Sequence, residues 1–147
     1  MTDLLVNIDV ADLERAIAFY RDGLGLSVAR RFGAGAAELV GASSRVYLLQ
    51  NAEGSPPLPT EPAIRRSYAR HWTPVHLDFV VDDIDVATRR ACAAGARLER
   101  PVSDTAWGRI AALADPFGHG FCLLSFNAAG YDAIATWTVA SAPPPAR

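Results

Sequence analysis

Hydrophobic and polar residues alternate at the start of the chain. Val6, Ile8 and Val10 fall on one side, and Leu5, Asn7 and Asp9 on the other. A period of two predicts a strand with one buried face. Asp12 follows where an N-cap belongs, because its carboxylate can accept the orphan N–H groups of a first helical turn. Leu13, Ala16, Ile17 and Tyr20 then recur at helical spacing, and Gly23 or Gly25 supplies the stop. Three short strands are expected near residues 26–32, 36–40 and 45–50, with Gly33, Gly35, Gly41 and Ser43 marking the turns.

Residues 51–74 break the pattern. Pro56, Pro57, Pro59 and Pro62 disfavour regular structure, so this stretch reads as a linker, with one helical turn expected over 63–72 carrying Tyr68 and Trp72. Beyond it the plan repeats. Val75, Leu77, Phe79 and Val81 alternate with His76, Asp78 and Val80. Asp82 or Asp83 caps a helix that turns Ile84, Ala87, Ala91 and Ala94 inward, and Gly95 ends it. Strands are expected near 96–99, 108–114 and 121–126. Laying Asp12 over Asp83 matches strand with strand and cap with cap, an agreement of pattern more than of residue identity.

The chain therefore reads as one domain over 1–147. It has a first βαβββ module at 4–50, a linker at 51–74, a second βαβββ module at 75–126 and a C-terminal extension at 127–147, ordered over 131–137 and frayed beyond. The expected fold class is α+β. The two modules would form a curved, mostly antiparallel sheet around a central pocket, with the helices on the convex side. Asn7, Asp9, His76 and Asp78 would then face a shared hollow, and a few polar groups among apolar neighbours suit a small-molecule pocket.

Composition narrows the partners. The 14 basic and 16 acidic residues give a net charge of −2 with no basic run, so nucleic acid is not an expected partner. Leu4, Leu5 and Val6 are cut off by Asn7 and Asp9, far short of the roughly 20 apolar residues of a membrane span, so no membrane is expected either. The opening carries no basic leader or small-residue cleavage site, so no export is expected. Cys92 and Cys122 form no motif and read as free thiols in reducing, cytoplasmic surroundings. Every basic residue is Arg, which excludes Schiff-base chemistry and a P-loop lysine.

The candidate chemistry centres on His76. It reads as a ligand, a general base or a half-buried imidazole satisfied by a backbone carbonyl. Asp78, two residues on, lies on the same face and would orient the ring, either for proton transfer or as a plain hydrogen-bonded pair. Asn7 and Asp9 would face His76 or sit wet at the rim. Arg109 is the candidate for holding an anionic substrate group through a forked contact, against simple surface solvation. Cys122 reads first as a small core residue, and His119 belongs to a turn. Trp72, Tyr47, Phe121 and Trp107 read as pocket wall or core.

The run from Asn7 through Ala11, Asp12 and Leu13 to Phe19 and Tyr20, with Gly23-Leu24-Gly25-Leu26, resembles the opening of the vicinal oxygen chelate superfamily. That group includes glyoxalase I, bleomycin-resistance proteins and extradiol dioxygenases. Asp115-Pro116-Phe117-Gly118 resembles its turn before the last strand. The resemblance covers roughly residues 4–126 and implies one metal ligand from each of four strands: His or Gln, Glu, His and Glu. Carried over by position, these fall on Leu5, which cannot coordinate; on Leu48 or Gln50; on His76, which can; and on Cys122. Several oxygen ligands are wanted by Mg²⁺ or Mn²⁺, and usually three protein ligands by catalytic zinc. No cofactor is therefore expected, and a divalent metal only through His76. The resemblance also implies a homodimer. The function expected is small-molecule binding, sequestering a toxic or antibiotic ligand through Asn7, Asp9, Gln50, Arg109 and Cys122 beside His76 and Asp78. The alternative is a metal-dependent or metal-free lyase, isomerase or dioxygenase with His76 as ligand or base. A regulatory module with a vestigial pocket is a third reading.

Overall fold

Strand β1 (Leu5–Val10) enters helix α1 (Leu13–Leu24) through Asp12, whose carboxylate accepts the Arg15 amide at 2.9 Å. The computed structural model describes residues 1–138. Gly25 ends α1 with φ 74 and returns its N–H to the Arg21 carbonyl, a left-handed stop that suits glycine. Strands β2 (Ser27–Phe32), β3 (Ala36–Val40) and β4 (Arg45–Gln50) complete the first module. The second repeats it with β5 (Leu77–Val80), α2 (Ile84–Ala93), β6 (Arg97–Thr105), β7 (Gly108–Ala114) and β8 (Gly120–Phe126). Asp83 caps α2 by accepting the Val86 amide at 3.0 Å. A short 3-10 turn, Gly130–Ala133, follows β8. The expected fraying falls mainly on residues 139–147, which lie outside the described residues.

The fold is α+β, built from two βαβββ modules. One feature of the expectation changes: there are two four-stranded sheets, ordered β1-β4-β3-β2 and β5-β8-β7-β6, and they do not join into one curved sheet. In each, the first strand runs parallel to the fourth and the other pairings are antiparallel. The modules meet through their helices instead. A Cβ at Gly23 would lie 3.1 Å from that of Ala94, and Arg90 donates to the Asp22 and Arg21 carbonyls at the end of α1.

Strand parity sets the two faces. Val6, Ile8, Val10, Val46, Leu48, Ala37 and Leu39 point toward the helices and join one hydrophobic cluster with Phe121, Leu123, Leu113 and Ala111 of the second module. Phe19 of α1 meets the Phe121 ring edge-on at 6.2 Å, and Phe79 does the same at 5.9 Å. The buried Tyr20 hydroxyl donates to Asp115 Oδ2 at 2.8 Å, tying α1 to the turn before β8. Residues on the opposite parity form an open face on each sheet.

Residues 51–74 contain no helix or strand, and the helical turn expected over 63–72 is absent. The backbone groups it would use are taken across the loop: the Gly54 amide donates to the Arg66 carbonyl, and the Arg66 amide to that of Ser55, both at 2.9 Å. The segment is a packed strap. Arg66 donates to Asp9 at 2.7 Å, Tyr68 to the Asn51 carbonyl at 2.7 Å, and Arg70 to Glu99 at 2.7 Å. At Gly118, with φ 80, an added Cβ would come within 2.5 Å of the Tyr68 carbonyl oxygen, so the strap lies directly on the final turn.

Candidate functional site

His76 stands at the entry to β5, and the parallel register places Asp78 opposite Cys122 of β8. All three point to the open face of the second sheet. His76 Nε2 lies 3.1 Å from Asp78 Oδ1, and one donor atom from each of His76, Asp78 and Cys122 lies within 4.8 Å of the other two. The imidazole and carboxylate are partly exposed, and the thiol is buried. Burial pushes the Cys122 thiol above its ordinary range, and the neighbouring Asp78 charge and hydrogen bond add to that.

The strap forms the wall. A cavity of about 460 Å³ is lined by His76 and Cys122 together with Trp72, Arg70, Arg100 and Phe121. Trp72 is 76% exposed, an unusual situation for so large an apolar ring, and its centroid lies 6.4 Å from that of His76. Arg70 is held against Glu99, which also takes Arg97, and these two guanidiniums hold the Glu99 carboxyl down at about 2.

The remaining candidates are placed elsewhere. The Asp9 carboxylate is committed to Arg66 at 2.7 Å and Asn51 at 2.8 Å. Asn7 is exposed on the open face of the first sheet, opposite Tyr47. Neither residue lines the 460 Å³ cavity, nor the one of about 680 Å³ between the free edges of β1 and β5. Asp78 lines the 680 Å³ cavity, which both modules share, and His76 the 460 Å³ one, so neither of these two cavities gathers Asn7, Asp9, His76 and Asp78. Gln50 shares the helix-facing parity of Leu48, and its Oε1 accepts the Leu13 amide at 2.8 Å as a second cap of α1. The open-face residues of β4 are Arg45, Tyr47 and Leu49, and Tyr47 lies opposite Asn7.

Arg109 does not reach the cavity either. It shares the parity of Ala111 and Leu113 on the helix-covered side, and its fork is occupied by Asp85 of α2 at 2.6 and 3.2 Å and by Asp104 at 3.2 Å. His119 donates through Nε2 to the Asp9 carbonyl at 2.7 Å, a link between modules. Trp107 packs with Phe126 and Tyr131. Arg70 and Glu99 carried no local signal, since only the path of the strap brings them to the cavity.

The three donors fit a metal of one kind. Zinc bonds of about 2.0–2.3 Å in tetrahedral geometry set donors roughly 3.3–3.8 Å apart. The three here lie within 4.8 Å of one another, so side-chain rotation would be needed to bring them onto one ion. An imidazole, carboxylate and thiolate together suit Zn²⁺ better than Mg²⁺ or Mn²⁺. His76, Asp78 and Cys122 would hold it with one side open, and bound there it would act as a Lewis acid toward a substrate oxygen.

Two βαβββ modules, each with its first strand parallel to its fourth, give the fold of a glyoxalase-type protein. The glyoxalase-like domain family matches residues 5–124, and the chain belongs to that family. A protein of the glyoxalase/bleomycin resistance/dioxygenase family from Burkholderia phytofirmans PsJN is 25% identical, with 86% of this chain and 100% of that one covered at a TM-score of 0.67. The fosfomycin resistance protein FosX from Listeria monocytogenes, crystallised with Mn(II) and a dihydroxypropylphosphonic acid, is 18% identical, with 88% and 94% covered at a TM-score of 0.65. The anthracycline biosynthesis protein DnrV of Streptomyces peucetius is 40% identical over 65 residues, which are 44% of this chain but only 22% of that protein. Among the described residues no helix is long and apolar enough to cross a membrane.

Proposed function

We propose that the chain binds a compact, planar organic molecule in the cleft between Trp72 and the His76–Asp78–Cys122 cluster, and withholds it from solution. The observation that carries this reading is Trp72, a largely exposed indole beside His76 on the wall of a 460 Å³ cavity that His76 and Cys122 also line, with Asp78 bonded to His76 just behind. An apolar wall with a few orienting groups is the usual composition of a small-molecule site, and an exposed indole gains most by stacking on a flat ligand. The link of DnrV to anthracyclines and of FosX to fosfomycin supports a toxic or antibiotic ligand. Exposed Leu4 and Val80, at the free edges of the first and second sheets, support a homodimer that covers them, and the two free cysteines suit a reducing, cytoplasmic setting.

A second reading rests on the donor cluster itself. With Zn²⁺ held by His76, Asp78 and Cys122, the same cleft would serve a lyase or isomerase, the ion acting as a Lewis acid toward a substrate oxygen; zinc does no redox chemistry, so a dioxygenase would need a different metal.

Titration with an anthracycline, fosfomycin and a 2-oxoaldehyde, followed by indole fluorescence and thermal shift, separates the readings. Quenching and stabilisation by a planar ligand, abolished in Trp72→Ala, supports sequestration. Turnover that requires zinc and is lost in Cys122→Ser supports the enzyme. No stabilising compound among the three classes overturns both.

A further inference from the structure

The open face of the first sheet carries a charged cluster that the cleft on the second sheet does not use. Glu38, in the centre of β3, is wholly buried at its side chain and accepts four hydrogen bonds. Arg30 of β2 donates through Nε at 3.0 Å and Nη2 at 2.6 Å, Arg45 of β4 through Nη1 at 2.8 Å, and the Tyr47 hydroxyl at 2.6 Å. Those four donors saturate the carboxylate. Two guanidiniums against one carboxylate leave one net positive charge in a chain whose total is −2. Among the described residues Arg45 keeps Nε and Nη2 with no protein acceptor, and Arg30 meets only Glu38 and the Tyr47 hydroxyl. The two side chains remain 58% and 52% exposed.

Two further observations point to a ligand. Phe32, about half exposed, stacks on Tyr47 with centroids 6.3 Å apart and planes at 29°, a flat apolar shelf beside the guanidiniums. The position also corresponds to the candidate site of the other module: Tyr47 pairs with Asn7 in the β1–β4 register as Cys122 pairs with Asp78 in the β5–β8 register. The two modules thus each carry a polar side-chain cluster on the open face at the same level, one of His, Asp and Cys and the other of Arg, Arg, Glu and Tyr.

We propose that this face binds the carboxylate or phosphate group of a small ligand, with Arg30 and Arg45 as the clamp and the Phe32–Tyr47 pair seating the ligand's planar body. Glu38 is a positioning residue. It fixes both forks before the ligand arrives, so little side-chain freedom is lost on binding. The alternative is an ion-pair ladder that only braces three strands.

The test uses the intact protein, with inorganic phosphate and benzoate as separate probes and chloride as the control, followed by amide and arginine Nε–H NMR shifts. Expected are saturable shifts at Arg30, Arg45, Tyr47 and Phe32 with one of the two probes, which also tells phosphate from carboxylate. Arg45→Ala should weaken binding tenfold or more with little change in Tm. Glu38→Gln adds a positive charge to the cluster and should nevertheless weaken binding, because the forks are released. Tighter binding in Glu38→Gln, shifts no larger than those from chloride, or an Arg45→Ala variant that loses Tm while binding unchanged would each overturn the proposal.

Discussion

Replacing Tyr20 by Phe removes one oxygen and leaves the ring in place against Phe19, 5.1 Å away and edge-on. What is lost is the 2.8 Å bond to Asp115 Oδ2, at a point where both residues are almost completely buried. Asp115 Oδ1 keeps the Phe117 and His119 amides at 2.8 and 2.9 Å, so the turn survives, but among the described residues Oδ2 has no other hydrogen-bond partner to replace the phenol. A buried hydrogen bond to a charged group contributes about 1.5–3 kcal/mol, so Tyr20→Phe should cost about 2 kcal/mol. At this chain length that is a fall in Tm of about 6–8 °C. Calorimetry and urea unfolding of Tyr20→Phe, Asp115→Asn and the double variant would give the coupling energy, expected to be at least about 1 kcal/mol. The unfolding should stay a single transition, since the bond joins α1 of one module to the last turn of the other within one hydrophobic cluster. A Tyr20→Phe loss below about 0.5 kcal/mol, or additive single variants, would refute the reasoning.

Other expectations follow from the same contacts. Arg30 and Tyr47 hold the Glu38 carboxyl, and Arg70 and Arg97 hold that of Glu99, at about 2 against an ordinary 4.5. Because the folded values are the lower ones, the unfolded chain takes up protons first. Their stabilisation is complete above about pH 4.5 and fades as pH falls toward 2, and Glu38→Gln should flatten that acid slope in urea midpoints taken between about pH 6 and 3. Gly118→Ala puts a Cβ into the Tyr68 carbonyl at a left-handed position, so a loss of about 2 kcal/mol or more is expected, with faster proteolysis within 51–74. Trp72→Ala should leave Tm within about 1–2 °C, because the indole is mostly in water, while removing ligand-dependent stabilisation. Cobalt substituted for zinc should show a thiolate charge-transfer band that disappears in Cys122→Ser, and its absence in the parent protein would dismiss the metal reading.

The helices and strands were legible because their signals are local. Asp12 and Asp83 each precede a helical period, and both carboxylates accept the amide three residues on. The pairing of Asp78 with His76 was legible for the same reason, two residues apart on one strand face. Gln50 shows where parity decides: it shares a side with Val46 and Leu48, the buried side, and so serves the helix cap. Arg109 is likewise fixed by parity with Ala111 and Leu113. Glu38 was hidden, because Arg30, Arg45 and Tyr47 meet it only through the register of three strands. The relation of the two open faces was hidden more deeply. It depends on Gly23 letting α1 approach α2, and hydrophobic periodicity contains no record of how one module sits on the next.

The parallel pairing of each module's first and fourth strands constrains how the chain reaches this state. Among the described residues β1 pairs with no strand other than β4, and its ladder partners lie about 40 residues downstream; β5 waits on β8 across a similar separation. Loop closure over such a span must precede any backbone bond to these strands, whereas β2–β3–β4 and β6–β7–β8 are sequential meanders that can zip locally. Each half should therefore nucleate at its meander and capture its N-terminal strand late. Ile8→Val and Phe79→Leu would then mainly accelerate unfolding, while Leu39→Ala and Leu113→Ala would slow refolding.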